Sequence, residues 1–222
     1  MAEIKFTKQH EIKEDRFVEF TTIEFPHLVQ KYSRHALIAV GAVAVIIAAF
    51  FGIRAAQDNK TQAANELFGK ALVALEQGEI SPAISNFQQL AEKYSGTNFG
   101  KYSLYYMGDI YFRMNNYQGA IDQYRRFIRA YSGQEFLAAA ARKGLGASYQ
   151  QMGDLNKAVQ AYSEVIDDYS KDFSVPEVLL KRARCYVKLG KPELAKKDCV
   201  RILAEFKTTP YRGDVENLLA TL

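Results

Sequence analysis

The side chains that most often carry out enzyme chemistry are few and lie far apart along the chain. The three histidines, His10, His27 and His35, all fall within the first 35 of 222 residues, whereas Cys185 and Cys199 lie near the other end. A Ser-His-Asp triad, a Cys-His pair or a histidine-ligated metal site therefore cannot form from the residues after His35 alone. Carboxylate or lysine chemistry remains formally open, but the pattern predicts a protein that is not an enzyme.

Two further motifs resemble ligand sites, and both have a simpler structural explanation. Gly144 and Gly146 lie in the string KGLGAS, but a phosphate-binding loop needs a preceding strand and a Gly-Lys-Ser/Thr ending. Asp167, Asp168 and Asp172 supply too few oxygen ligands for a calcium loop. The net charge of +4 is too small to argue for nucleic acid. We therefore expect no cofactor, no metal and no nucleic-acid partner.

The elements that carry these residues begin with one long apolar run. Residues 36–53 read ALIAVGAVAVIIAAFFGI, with no charged or polar side chain. A helix of this length extends about 27 Å, close to the thickness of bilayer hydrocarbon. A core helix of a soluble protein seldom lacks polar residues on every side. The run predicts a transmembrane helix, preceded by an N-terminal tail over residues 1–35 and followed by a linker over residues 54–61.

The flanks of this helix favour a retained signal anchor over a cleaved signal peptide. The preceding 35 residues are long for a signal n-region, and the apolar run exceeds the usual h-region of about 7–15 residues. The numbers of basic residues near the two ends of the helix are almost equal, so charge does not determine its orientation. The lengths of the flanking segments do, because a long domain crosses a membrane largely regardless of charge, whereas a short tail with six Lys and Arg resists crossing. We predict a cytoplasmic N-terminus and an exported C-terminal body. In an oxidising compartment, Cys185 and Cys199 could either form a disulfide or remain free thiols.

A repeated pattern fills the chain after residue 60. Its marker alanines are 37 or 38 residues apart, and a glycine or asparagine lies five residues before each of them. Such a residue readily takes the left-handed conformation that ends a helix, and small residues allow two antiparallel helices to approach closely. The marker alanines are Ala83, Ala120, Ala158 and Ala195; the turn residues are Gly78, Asn115, Gly153 and Gly190; and the larger residues that follow are Phe87, Tyr124, Tyr162 and Cys199.

This series resembles the tetratricopeptide repeat (TPR). The residues that carry the resemblance most clearly are Gly146, Tyr149, Gly153, Ala158 and Tyr162. The resemblance covers about residues 62–210 and implies an all-α protein, in which one N-terminal transmembrane helix precedes a TPR-like α-solenoid of about four helical hairpins. Residues 211–222 form one more amphipathic stretch, which we expect to be a capping helix, because a solenoid end must cover its apolar face.

The TPR resemblance also implies where a ligand binds. In TPRs the ligand-facing positions lie on the first helix of each hairpin and form a groove for a protein or peptide. The residues at these positions are Phe68, Leu72, Tyr102, Tyr105, Asp109, Phe112, Arg113, Lys143, Arg184 and Lys188. The first half is apolar and aromatic and the second half is basic, which suits a peptide with a hydrophobic part and an acidic part. The alternative is that the apolar residues of the first unit pack against the linker helix.

The order of tail, membrane helix and repeats looks like that of YfgM-type ancillary subunits of the bacterial Sec translocon. This resemblance implies a single-pass protein of the bacterial inner membrane with a periplasmic TPR domain. It also implies a non-enzymatic scaffold that assists protein export or periplasmic folding, with the Sec translocon or periplasmic chaperones as partners. The alternative is a scaffold for outer-membrane assembly or cell-division coordination, although TPR proteins of those kinds usually carry a lipobox or a cleaved signal. An enzyme, or a regulatory subunit of one, is disfavoured by the missing histidines.

Overall fold

A computed structural model describes residues 25–131 and 135–222 of the chain. Residues 1–24 of the predicted tail, including His10, lie outside the described residues. Within the described ranges every regular element is an α-helix. The helices are α1 (Phe25–Glu76), α2 (Ile80–Lys93), α3 (Asn98–Arg113), α4 (Tyr117–Ala130), α5 (Glu135–Gln151), α6 (Leu155–Asp168), α7 (Val175–Lys188), α8 (Pro192–Glu205) and α9 (Arg212–Leu219).

The chain divides into two compact units, and the first, which ends at Asn59, contains the apolar part of α1. Each residue from Leu37 to Ile53 is exposed in the structure. By length and composition, α1 is able to span a membrane. The prediction of a long apolar helix near the N-terminus is therefore confirmed. Residues 54–61, predicted as a linker, are helical as well.

The second unit, Lys60–Leu222, is a stack of helical hairpins. Consecutive helices from α2 to α9 pack against each other, and α3 also contacts α5, so these first helices of successive hairpins lie side by side. The part of α1 in this unit packs against α2 through the rings of Phe68 and Phe87, whose centroids are 5.8 Å apart. In the described residues the hairpins are α1–α2, α3–α4, α5–α6 and α7–α8, with α9 against α8. The predicted all-α solenoid is confirmed.

The turn inside each hairpin has the predicted backbone conformation. The four turn residues have positive φ angles, between 59° at Asn115 and 81° at Gly153. In each turn the following N–H donates to a carbonyl five residues earlier, as Asp154 does to Tyr149 at 3.0 Å. This bond satisfies a carbonyl at the helix end that would otherwise lack a partner. Asn115 is the one turn residue with a Cβ, and asparagine tolerates this conformation better than most residues.

The two helices of a hairpin approach closely where the sequence places a small residue. A Cβ added at Gly146 on α5 would lie 2.6 Å from Cε1 of Tyr162 on α6, and one added at Gly108 would lie 2.7 Å from Cε1 of Tyr124. Tyr162 is fully buried. Because an ordinary contact between carbons needs about 3.5–4.0 Å, only glycine fits at these crossings.

A buried ion pair lies within the last hairpin and is hydrogen-bonded to the hairpin before it. Arg182 on α7 donates to both carboxylate oxygens of Asp198 on α8, at 2.9 and 2.7 Å, and to Oγ of Ser163 on α6, at 2.8 Å. Burial disfavours the charged guanidinium, but the hydrogen bonds and charge of Asp198 outweigh it, so the pKa of Arg182 is raised. The network therefore ties three helices of neighbouring hairpins together.

The two cysteines lie in the core of the last hairpin. Cys185 on α7 and Cys199 on α8 are fully buried, and both are free thiols in the structure. Burial raises the pKa of Cys185 to about 11 and also raises the pKa of Cys199. Both side chains are therefore packing residues with little thiolate character at neutral pH.

Candidate protein-binding groove

The residues predicted for the groove all lie on the first helices of hairpins. Phe68 and Leu72 lie on α1; Tyr102, Tyr105, Asp109, Phe112 and Arg113 on α3; Lys143 on α5; and Arg184 and Lys188 on α7. The rings of Phe68 and Tyr102, 6.3 Å apart, bring the α1 and α3 members together. Because α3 contacts α5, the predicted residues can share one continuous face. Their role in binding stays a prediction.

Phe68 lies at the centre of an aromatic cluster. Its ring centroid is 5.4 Å from those of Phe99 and Tyr106, in addition to its contacts with Phe87 and Tyr102. It is half-buried and packs against the core. Phe68 therefore holds α1 against α2 and α3, and only part of its surface is available to a ligand.

Tyr105 is also partly committed to packing. Its ring lies 6.1 Å from that of Tyr124 and 5.8 Å from that of Phe127, both on α4. Burial raises the pKa of Tyr105, and the negative charge of Asp109 raises it further. Sequence reasoning assigned this side chain to the groove alone, and it missed Tyr106, which stacks on Phe87 at 5.3 Å.

Tyr102 and Phe112 flank Tyr105 on α3 and are both half-buried. The ring of Tyr102 contacts that of Tyr131 at 5.6 Å, and their hydrogen bond, together with burial, raises the pKa of Tyr102. The ring of Phe112 contacts that of Tyr117 at 5.6 Å. Like Tyr105, these two side chains pack against the core and keep part of their surface exposed.

The basic half of the predicted groove is paired with carboxylates. Lys143 Nζ lies 2.9 Å from Glu177 on α7, and Arg184 lies 2.7 Å from Asp214 on α9. Within the described residues Lys188 has no ion pair. Charges that seemed free for an acidic ligand are therefore largely compensated within the solenoid.

Sequence reasoning missed Glu177 and Asp214, although the repeat register contained a signal for Glu177. It lies 18 residues before Ala195, as Tyr102 lies 18 residues before Ala120, so it occupies a ligand-facing position of its own repeat. Glu177 also contacts Lys181 at 3.5 Å. An acidic residue at that position predicts pairing with a cation on the neighbouring first helix.

The aromatic and charged residues of this face have the chemistry of a binding surface. In the described part of the chain, no group of three His, Cys, Asp or Glu side chains could hold a metal ion. A face with half-buried aromatic rings on α1 and α3 and paired charges on α5 and α7 can bind another polypeptide through apolar contact and hydrogen bonds.

Stacked antiparallel hairpins with left-handed turns define a helical-repeat protein, the class that presents extended binding faces. Models of the tetratricopeptide repeat match residues 68–135, 107–173 and 177–209. The chain belongs to the tetratricopeptide repeat family. A comparison with curated proteins gives no match.

Solved structures of other TPR proteins share this fold. A TPR protein from Parabacteroides merdae is 18% identical, with a TM-score of 0.61 over 71% of this chain, which spans 59% of that chain. A putative kinesin light chain with TPR-like repeats from Podospora anserina is 17% identical, with a TM-score of 0.59 over 72% of this chain and 85% of that one. The protein MamA is 15% identical, with a TM-score of 0.54 over 68% and 90%. At these identities the likeness concerns the fold alone.

Proposed function

We propose that this protein is a membrane-anchored, non-enzymatic TPR scaffold of the bacterial cell envelope. It binds proteins or peptides and assists protein export or periplasmic folding, with the Sec translocon or periplasmic chaperones as partners. In this proposal the tail is cytoplasmic, residues 36–53 cross the inner membrane once, and the solenoid is periplasmic.

The exposed apolar part of α1 is the observation that carries the proposal. Leu37, Ile38 and Ile53 are 72%, 70% and 69% exposed, and the intervening residues are exposed as well. Each large apolar side chain gains about 1.5–3 kcal/mol when it leaves water. A bilayer covers such a surface on all sides of the helix at once, whereas a partner helix covers only one side.

The first-helix face supports the binding part of the proposal. Tyr102 and Phe112 offer aromatic surface, and large rigid side chains carry most of the energy at protein interfaces. Because Lys143 and Arg184 are already paired with carboxylates, the apolar part of the partner supplies most of the affinity. An extended or helical segment of an exported protein meets this requirement.

Photocrosslinking in native membranes tests the function. A photoreactive phenylalanine analogue at position 102 or 112 is expected to capture the translocon or periplasmic chaperones, whereas the same analogue at the exposed Lys196 on α8 is not. Crosslinks to outer-membrane assembly or cell-division proteins instead would favour the alternative scaffold. The proposal fails if positions 102 and 112 give the same products as position 196.

A fusion reporter tests the topology separately. Alkaline phosphatase, which is active only in an oxidising compartment, is expected to be active when it is fused after Leu222. A cytoplasmic reporter is expected to be inactive at the same position. The opposite result would show that the C-terminus is cytoplasmic, and it would contradict both the proposed orientation and the proposed role in export.

A further inference from the structure

The loops that connect successive hairpins lie along one edge of the second unit, which we call the loop edge. Because consecutive helices run in opposite directions, each first helix begins at this edge and each second helix ends there. The turns with positive φ angles lie at the other edge, the turn edge. The second unit begins with Lys60 in α1, and α1 ends at Glu76, just before the turn residue Gly78. The chain therefore enters the second unit at the loop edge.

A basic cavity of about 310 Å³, which we call the α2–α4 cavity, lies at the loop edge. Its polar lining consists of Ser95 in the loop after α2, Lys101 near the start of α3, and Arg126 and Arg129 near the end of α4. Lys101 is half-buried, both arginines are exposed, and none of the described residues that line the cavity is acidic. Arg126 donates a hydrogen bond to Gln123 at 3.0 Å. In the described ranges, none of these three cations forms an ion pair, so their charge is available to a ligand.

The chain keeps this cavity close to the proposed membrane anchor. Phe68 on α1 contacts Phe87 on α2, and the two helices run in opposite directions. The end of α2 at Lys93, six residues after Phe87, therefore lies level with about residue 62 of α1. Residue 62 follows Ile53, the last residue of the apolar run, by nine residues, which extend at most about 32 Å. Such a short tether gives the lipid headgroups an effective concentration of about millimolar, so weak binding is sufficient.

Two exposed aromatic rings lie at the same edge. Phe136 is in the first turn of α5 and Phe173 is in the loop before α7; they are 51% and 74% exposed, and their ring centroids are 5.7 Å apart. The charged residues beside them are Asp168, Lys171 and Asp172, so this part of the edge offers apolar surface without an excess of positive charge. The boundary between lipid headgroups and acyl chains covers such rings, whereas a soluble anion would leave them in water.

We propose that the loop edge contacts the bilayer surface and that the α2–α4 cavity binds the phosphate of an anionic lipid headgroup. The guanidinium groups of Arg126 and Arg129 donate hydrogen bonds to the phosphate oxygens, and Lys101 adds a third positive charge. The rings of Phe136 and Phe173 enter the headgroup region. This inference rests on the membrane anchoring proposed above. None of the residues predicted for the groove lines the cavity, so the first-helix face stays available to a protein partner.

Fluorescence quenching in lipid nanodiscs tests the site in the full-length protein. Gly96→Cys provides a labelling position in the loop next to Ser95, with open space around it. Cys185 and Cys199 are buried and have raised pKa values, so a maleimide dye reacts at position 96. The nanodiscs contain phosphatidylcholine, with or without phosphatidylglycerol, and the same small fraction of a lipid whose headgroup carries a nitroxide quencher. We expect stronger quenching of the dye when phosphatidylglycerol is present.

Two double variants in the labelled protein separate the cavity from charge in general. Arg126→Gln/Arg129→Gln is expected to remove most of the additional quenching, because each basic residue near an anionic surface strengthens binding about fivefold, and two do so more than tenfold. Lys196→Gln/Lys197→Gln removes two exposed charges from the half of α8 nearer the turn edge, and it is expected to leave the quenching unchanged. All the substituted side chains are exposed, so both variants should keep the original thermal midpoint.

Three results would overturn the lipid site alone. Equal quenching in the two kinds of nanodisc would show that the site does not bind anionic lipid. The absence of a difference between the two double variants would show that no defined site exists. If hexaglutamate changes the fluorescence of the dye through Arg126 and Arg129 in neutral nanodiscs while phosphatidylglycerol has no effect, the occupant is an acidic polypeptide. Failure of the proposed anchor would be recognised separately, because the protein would then not copurify with either kind of nanodisc, and this inference would fail with it.

Discussion

Replacing Asp198 by alanine is expected to destabilise the solenoid strongly. Its carboxylate on α8 receives two hydrogen bonds from Arg182 on α7, which also binds Ser163 on α6. The variant leaves the guanidinium beside an empty space and without its counter-charge. The destabilisation therefore acts where the last two hairpins meet. We expect local unfolding to spread to the neighbouring repeats, because each repeat of a solenoid is stabilised by its neighbours.

The magnitude follows from how deeply the pair is buried. The side chains of Arg182 and Asp198 are 13% and 5% exposed. Breaking a buried pair by removing one partner costs about 3–5 kcal/mol, because the other charge stays buried without compensation. A typical domain has about 5–15 kcal/mol of total stability. The double variant Arg182→Met/Asp198→Leu removes both charges and is expected to lie within about 2 kcal/mol of the original protein.

Urea unfolding of the full-length protein in detergent, followed by far-ultraviolet circular dichroism, measures these free energies. Asp214→Ala is the matched control: its bond to Arg184 is equally short, 2.7 Å, but the two side chains are 55% and 47% exposed. An exposed pair of this kind contributes about 1 kcal/mol or less. The reasoning is refuted if Asp198→Ala costs no more than Asp214→Ala, or if the double variant is as unstable as the single one.

Three further predictions concern the repeat core. Gly146→Ala is expected to cost about 1–3 kcal/mol in urea unfolding, because its Cβ would lie 2.6 Å from Tyr162, whereas Gly69→Ala, with open space around it, should cost nothing. Asn115→Ala is expected to cost about 1–2 kcal/mol and Asn115→Gly much less, since φ is 59°; equal losses would contradict this. The raised pKa of Cys185, about 11 against about 8.5 in an unfolded chain, means that its stabilising effect is complete below about pH 8.5 and is lost as the pH rises towards 11. The unfolding free energy should fall over that interval, and less steeply in Cys185→Ala.

The hairpins were predictable from the sequence because each depends on short-range rules. A left-handed turn needs one residue of a particular type, so Gly153 could be recognised from its distance to Ala158. A tight crossing needs one small residue opposite a large one, as with Gly146 and Tyr162. Because the same spacing of turn residue and marker alanine occurs four times in the sequence, it predicted a stack of four hairpins.

The surface of the first helices was harder to predict, because it depends on contacts between residues far apart in the chain. The period of a helix places Tyr105 on the ligand-facing side of α3, but it does not reveal that the ring turns towards Tyr124 and Phe127. The pair of Lys143 and Glu177 joins residues 34 positions apart. The repeat register alone placed Lys143 in the groove and gave no sign of its pairing with Glu177.

The pairing of charges on the first helices weakens the expectation that an acidic partner binds there. The sequence assigned acidic recognition to Lys143 and Arg184, yet Lys143 is held by a carboxylate of α7 and Arg184 by one of α9. A charge that is already paired gives little further affinity, because a ligand must displace its present partner. In the proposed function, therefore, recognition on the first-helix face is mainly apolar.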